Sequence, residues 1–309
     1  MLSICIPVYN LDVKKLVFSL DEQRKKNNFP CQIILIDDAS SHDFIQKNEN
    51  LHNIADVYIL LEKNVGRAKI RNLFLPYSTY DYLLFLDCDS TIINDYFLEK
   101  YFTQITDNQA AIICGGNDYP SQKPDKNYLL RWTYSHKKES REAREKTQKQ
   151  SFMTNNFVVK KSIFEQIKFD ENLTQYGHED TLFGYELKKQ NITIKHIENP
   201  VMNDVLDTNE AFLQKTELGL ENLAFLVKKL NYESGFIQEV NILKFYFFIK
   251  KIYLTPLLSI SYFFFTEKIK QRLTEGKVNL RLFDFYKLIY LNQMLKSLGN
   301  IKTMAVTRR

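Results

Sequence analysis

Tyr82-Leu83-Leu84-Phe85-Leu86-Asp87-Cys88-Asp89 decides the fold. Five apolar residues in a row, with no polar face and no helical period, read as a strand buried on both sides of a sheet. The run then ends on two carboxylates that flank a single Cys. In open α/β sheets ligands bind outside the carboxyl ends of the strands, so a strand terminating in Asp-x-Asp is a strand terminating in a site.

Working outward, Leu2–Val8, Gln32–Ile36 and Val57–Leu61 repeat the pattern of short apolar runs bounded by polar turns. Helical stretches separate them at Val13–Lys26, Asp43–Asn50 and Gly66–Leu75. Such alternation specifies an α/β fold with a mostly parallel central sheet flanked by helices. The strand ends carry Tyr9-Asn10, Asp37-Asp38, Asn64 and Asp87-Cys88-Asp89, which are expected to converge on one cleft. Downstream, Ala110–Cys114 and Phe157–Val159 read as further strands, and Ser162–Ile167 and Asp180–Gln190 as helices. The polar stretch Ser135–Gln150 reads as a solvated helix, with Glu142/Lys146 and Glu145/Lys149 at i,i+4 spacing, the alternative being a mobile lid. A chain of 309 residues that is 44% hydrophobic, with 9 Gly and 7 Pro, is neither disordered nor collagen-like, and no internal repeat is visible. The cysteines Cys5, Cys31, Cys88 and Cys114 stand singly, without zinc-site spacing, and are expected to be reduced.

Asp87 and Asp89 have no Lys or Arg between Ser78 and Asn94 to neutralise them. Neighbouring carboxylates repel unless a cation lies between them, and a hard divalent ion, Mn²⁺ or Mg²⁺, takes such oxygen ligands and shares them with phosphate. A metal-diphosphate site at Asp87 and Asp89 is therefore expected; the plain alternative is a helix cap and a solvated Asp. In Asn64-Val65-Gly66-Arg67-Ala68-Lys69-Ile70-Arg71-Asn72, Gly66 permits close backbone approach and three cations follow on a helix start, which suits phosphate. Glu179-Asp180 is a later acidic pair at a helix start, available to take a proton, although the helix dipole alone also favours acids there. A dinucleotide-binding dehydrogenase would need glycines after the first strand, and Pro7-Val8-Tyr9-Asn10 has none.

Together Ser3-Ile4-Cys5-Ile6-Pro7-Val8-Tyr9-Asn10, Ile36-Asp37-Asp38-Ala39-Ser40, Asn64–Asn72, Phe85–Asp89 and Tyr176-Gly177-His178-Glu179-Asp180 resemble the family 2 glycosyltransferases over roughly residues 2–220. The resemblance implies a GT-A type nucleotide-binding fold and inverting transfer of a sugar from a nucleotide diphosphate, UDP-linked, to a hydroxyl of a glycan or lipid-linked glycan. It implies Pro7 and Tyr9 along a nucleobase pocket with Asp38 as hydrogen-bond acceptor. Asn64, Gly66 and Arg71 would border ribose and diphosphate, and Asp87 and Asp89 would hold nucleotide and metal. Asp180 is then the general base, with Glu179 as runner-up or acceptor ligand. Trp132, Asn156 and His178 are candidate acceptor contacts. Where relatives carry a His after a short Asn-Pro strand, this chain has Asn199-Pro200-Val201-Met202-Asn203-Asp204, so Asn203 or Asp204 takes that role or Asp89 acts alone.

The charge is unevenly distributed. Residues 240–309 hold 13 Lys and Arg against 3 Asp and Glu, a net +10, which leaves −5 for the remainder of a chain whose total is +5. Within this segment Ile252–Thr266 carries no charge and is rich in aromatic residues, but it is shorter than the roughly 20 apolar residues of a membrane span. A division into a catalytic domain over 1–230 and a basic helical tail over 231–309 is expected, the tail meeting an anionic membrane surface through residues 240–275 rather than nucleic acid. The start, Met1-Leu2-Ser3-Ile4, lacks a basic region, so no signal peptide is expected, and a peripheral position on the cytoplasmic face of the cell membrane follows as the expected location.

Overall fold

A computed structural model describes residues 1–108, 110–140 and 152–306. Among these residues ten strands form two sheets. They are β1 (Leu2–Val8), β2 (Cys31–Asp37), β3 (Val57–Leu60), β4 (Tyr82–Leu86), β5 (Ser90–Ile92), β6 (Ile112–Cys114), β7 (Asn117–Asp118), β8 (Asn156–Lys160), β9 (Ile194–His196) and β10 (Val201–Asn203). The large sheet runs β3-β2-β1-β4-β8-β6-β9, and β5-β10-β7 form a small one. In the large sheet β1, β2, β3 and β4 are mutually parallel, β6 and β9 are parallel, and β8 runs antiparallel to its neighbours; in the small sheet β10 is antiparallel to β5 and parallel to β7. The chain is thus α/β with a mostly parallel sheet, and a helical region follows toward the C-terminus.

The strands are continuous apolar runs because helices cover both faces. Ile4, Ile6, Leu84 and Leu86 pack with Leu16, Val17 and Leu20 of helix Lys14–Lys26 and with Phe97 and Tyr101 of helix Phe97–Asn108. The opposite face sets Cys5, Ile34, Leu83 and Phe85 against Phe157, Phe164 and Phe183. Phe157 sits between Phe85, stacked at 5.0 Å, and Phe152, edge-on at 4.8 Å. Each such buried side chain contributes about 1.5–3 kcal/mol from removal of apolar surface from water.

The chain divides into two compact units. The first comprises Met1–Ser121, Ser135–Thr174 and Glu179–Val205, and contains both sheets. The second comprises Gln122–Tyr134, Gln175–His178 and Leu206–Arg309. The break at Val205/Leu206 precedes the 230/231 boundary read from composition, because helix Asn209–Lys229 packs with the helices Thr255–Thr274 and Leu280–Val306. Within the second unit buried Asn209 accepts a bond from the Leu130 amide (2.8 Å) and donates to Lys126 O (2.8 Å) and Thr274 O (3.1 Å). Of the solvated helix expected over Ser135–Gln150, only a π-helical turn at Ser135–Glu139 is described; Glu142/Lys146 and Glu145/Lys149 lie outside the described residues.

Gly115 governs the junction of the two sheets. A Cβ there would lie 2.2 Å from Tyr101 Oη, 2.5 Å from Asn199 O and 2.6 Å from Asn156 Nδ2. Only hydrogen fits, and the close approach lets Asn156 donate to both Gly116 O (2.9 Å) and Asn199 O (2.8 Å), tying β8 to the strand that carries Asn203.

Candidate active site

The polar residues at the ends of β1, β2 and β4 and at the start of helix Glu179–Lys189 are linked contact by contact within the first unit. After β1, Asn10 turns into the left-handed region (φ 48°), its amide donates to Ser40 Oγ (2.8 Å) and its Oδ1 accepts from the Ser41 amide (2.8 Å). The loops after β1 and β2 are thereby stitched together. Tyr9 is 51% exposed and follows partly exposed Pro7 by two residues. The backbone of Tyr9 also hydrogen-bonds the Cys88 sulfur between the two aspartates. Burial, with the charges of Asp89 and Asp87, pushes that thiol up to about 12. Cys88 therefore stays protonated at neutral pH and is no nucleophile.

Asp38 organises the next loop. Its Oδ1 accepts from the Val65 amide (2.7 Å) and its Oδ2 from the Gly66 amide (3.2 Å), while Asn64 Nδ2 donates to its carbonyl (3.2 Å). Withdrawal from water holds its carboxyl above the usual range despite those two amides, and the Asp37 charge adds to the rise. Gly66 has φ 83° and immediately precedes helix Arg67–Asn72, so the loop adopts a backbone that side-chain-bearing residues resist.

Arg71 lies on that helix with its side chain 2% exposed. Its Nη2 donates to Asp87 Oδ1 at 2.7 Å, its Nη1 donates to Arg67 O at 3.0 Å, and the same Nη1 lies 3.8 Å from Glu179 Oε1. The cation that Asp87 lacks locally therefore comes from Arg71, sixteen residues earlier in the chain, and also reaches Glu179. Arg71, expected beside ribose and diphosphate, has its guanidinium on Asp87 and near Glu179. Arg67, exposed on the first turn of the helix, is the cation the reading left unassigned. Its position one residue after a left-handed Gly was the available signal.

Asp180 is partly exposed next to buried Glu179. Both hydrogen bonds from Thr181, backbone (2.6 Å) and hydroxyl (3.2 Å), fall on Oδ1. Desolvation and then the Glu179 charge push its carboxyl up to about 6, while the Thr181 bonds and Arg71 draw it back. A carboxylate with that proton affinity is a stronger base than an ordinary Asp and is still ionised at neutral pH.

Asp89 has a partner from far along the chain. The antiparallel register sets Asn203 of β10 opposite Ser90 of β5, and Asn203 Nδ2 lies 3.4 Å from Asp89 Oδ2. Asn203 Oδ1 is buried and accepts no hydrogen bond among the described residues. Among those residues no group of three or more His, Cys, Asp and Glu is gathered for a metal. The Asp89 carboxylate and the Asn203 side-chain oxygen are both oxygen donors of the sort Mn²⁺ or Mg²⁺ accepts, although it is Asn203 Nδ2 that faces Asp89.

Asn156 was expected at the acceptor. It is 1% exposed, takes a bond from Tyr101 Oη (2.6 Å) and gives both amide hydrogens to Gly116 and Asn199, which leaves no donor for a ligand. Its neighbour Asn155 has a buried Oδ1 with no hydrogen bond among the described residues. Trp132, on helix Leu129–Tyr134, and His178, at φ 67° over Gly219, belong to the second unit.

Residues 3–168, more than half of the chain, match the family described as Glycosyl transferase family 2. The chain belongs to this family. A family 2 glycosyltransferase of this length is similar to the chondroitin synthase of Pasteurella multocida (strain Pm70), at 23% identity over 223 residues, which cover 60% of this chain and 23% of that protein. It is also similar to the chondroitin synthase of Escherichia coli, at 24% over 231 residues, 64% of this chain and 33% of that protein. The chain therefore spans a third or less of the length of these two relatives. Among solved structures, a mannosyltransferase of Pyrobaculum calidifontis in complex with GDP-Man and Mn²⁺ gives a TM-score of 0.57 at 10% identity, covering 96% of this chain and 86% of that one. S. aureus TarS 1–349 in complex with UDP gives 0.50 at 18% identity, covering 97% and 91%. These likenesses identify the fold of this family 2 glycosyltransferase as GT-A.

Proposed function

We propose that the chain is an inverting glycosyltransferase that moves a sugar from a UDP-linked donor to a hydroxyl of a glycan or lipid-linked glycan. The observation that carries this reading is the buried Arg71, which joins Asp87 on the donor side to the Glu179-Asp180 pair through one guanidinium. A nucleotide-diphosphate leaving group and an incoming hydroxyl must lie on opposite faces of the sugar, and this network supplies a carboxylate for each.

In this reading Pro7 and Tyr9 flank the nucleobase and Asp38 accepts a hydrogen bond from it. Asn64 and Gly66 border the ribose and diphosphate. Asp180 takes the acceptor proton as its oxygen bonds to the anomeric carbon and the bond to the diphosphate breaks, inverting the configuration. Withdrawal from water, with the Glu179 charge, keeps Asp180 basic. Asp87, fixed by Arg71, and Asp89, oriented by Asn203, would hold Mn²⁺ or Mg²⁺, which when bound stabilises negative charge on the departing diphosphate. Family membership supports sugar transfer as the reaction class, and the donors of the structural neighbours set the range to screen.

The test is a thermal-shift and turnover screen of UDP-, GDP- and dTDP-sugars with and without Mn²⁺. A shift and consumption confined to UDP-sugars supports the reading. Binding without consumption for any acceptor would make the chain a nucleotide-sugar binding protein of the same fold, and no binding at all would refute the donor site.

A further inference from the structure

The second unit exposes large apolar side chains where a folded protein ordinarily hides them. Helices Asn241–Lys251 and Thr255–Thr274 are bent by 117° at the break between them. Leu243, Tyr246 and Ile249 face inward on the first helix, and Leu258, Thr266 and Ile269 on the second. The outward positions, at helical three- and four-residue spacing, are Phe245, Phe248, Leu257 and Phe264, all exposed. At the corner Tyr253 is 86% exposed, and Phe263 on the second helix is 83% exposed. Tyr253 is also held at φ 60°, its amide bonded to Lys250 O (3.1 Å) and the Leu254 amide to Ile249 O (3.1 Å). A bulky aromatic in the left-handed region with its ring in solvent is strained without a packing return.

The cations choose among occupants. Lys244, Lys251 and Lys268 are all exposed and interleave with these rings, in a segment that is +10 over residues 240–309. Glu267, Glu275 and Asp284 are the only acids in that segment. Lysine is depleted from protein–protein interface cores, so a second copy of the chain fits this mixture poorly. Nucleic acid would use the charge and leave most of the aliphatic surface unmatched. Among the described residues no single helix is long and apolar enough to cross a membrane, and the sharp bend turns the pair away from a straight span. Aromatic and aliphatic side chains ringed by lysine are the composition of a helix lying in the headgroup region of an anionic leaflet.

We propose that this bent pair is a docking surface for an anionic lipid bilayer, with Tyr253, Leu257, Phe263 and Phe264 entering the headgroup boundary and Lys244, Lys251 and Lys268 meeting lipid phosphates. The inference does not depend on the catalytic reading, and its test requires no sugar donor. The full chain is sedimented with phosphatidylcholine vesicles with and without phosphatidylglycerol, at low and high salt. Binding should require phosphatidylglycerol, weaken with salt and fall about fivefold for each of Lys244→Gln, Lys251→Gln and Lys268→Gln. Phe263→Ser/Phe264→Ser should release the protein from the vesicles while its thermal unfolding changes little, since both side chains are mostly exposed. As a second readout, Phe263→Trp should be quenched by brominated lipid beyond the background from Trp132. The proposal is overturned by no binding to phosphatidylglycerol vesicles, by equal binding of the variants, or by unquenched Phe263→Trp fluorescence. It is likewise overturned if light scattering shows self-association that Phe263→Ser/Phe264→Ser abolishes and vesicles do not bind, which would assign the surface to a second copy.

Discussion

Replacing Arg71 with Met probes the network at its centre. Methionine fills much of the arginine stem and returns none of its charge. Asp87 then loses a 2.7 Å partner and Glu179 loses the cation 3.8 Å away, with side chains only 22% and 6% exposed. Removing one member of a buried ion pair costs about 3–5 kcal/mol, because the remaining charge is neither solvated nor matched. The residual water access of Asp87 and the longer reach to Glu179 place this case at the low end, about 3 kcal/mol. At about 2–4 °C per kcal/mol for a domain of this size, the calorimetric unfolding midpoint should drop by about 6–12 °C. Adding Asp87→Asn to Arg71→Met removes the orphaned charge as well, so the double variant should be more stable than the sum of the single losses, by about 1 kcal/mol or more. A midpoint that moves by less than about 2 °C, or strictly additive losses, would show that Arg71 is not holding these acids.

Three further outcomes are expected. Asp180→Asn should keep donor affinity, measured by calorimetric titration, while transfer falls about 10²- to 10⁴-fold; because only the ionised carboxylate accepts a proton, the parent rate should rise with pH through about 6, and a flat profile there would move the base elsewhere. Asn203→Ala should weaken Mn²⁺ binding about 10- to 100-fold, read by the metal-dependent shift in unfolding temperature, since Asp89 loses the partner that orients it. Gly115→Ala drives a methyl into Tyr101, Asn199 and Asn156 and should destabilise the first unit by about 1–3 kcal/mol in denaturant titration; an unchanged midpoint would mean that the junction relaxes without cost.

The strands of the large sheet were readable because a parallel strand covered on both faces is apolar at nearly every position. Leu2–Val8 and Tyr82–Leu86 accordingly occur with the bounds read from the residues alone. The acids that follow them were readable because a polar side chain directly after such a run has nowhere to sit but the strand end. The small sheet was not, since strands of two or three residues carry no period. Its register is what brings Asn203 to Asp89 across 114 residues, so that pairing existed in the sequence only as one alternative for a missing His. Arg71 shows a different limit: three cations on one short helix look alike in sequence, and only the packed structure separates exposed Arg67 from buried Arg71. Asn156 was expected at the acceptor only through the resemblance, and the sequence does not show that its side chain is taken up by the Tyr101 hydroxyl and by the Gly116 and Asn199 carbonyls.

The guanidinium shared between Asp87 and Glu179 has a consequence for how such an enzyme can diverge. Positions 71, 87 and 179 are not three letters that drift separately, because a neutral residue at any one of them strands charge at another. Any route to a different trio runs through an intermediate that folds worse than either end, so single-step change is discouraged at all three. The exposed Tyr9 side chain shares no charge with that trio, so its position can change by a single residue without stranding one elsewhere.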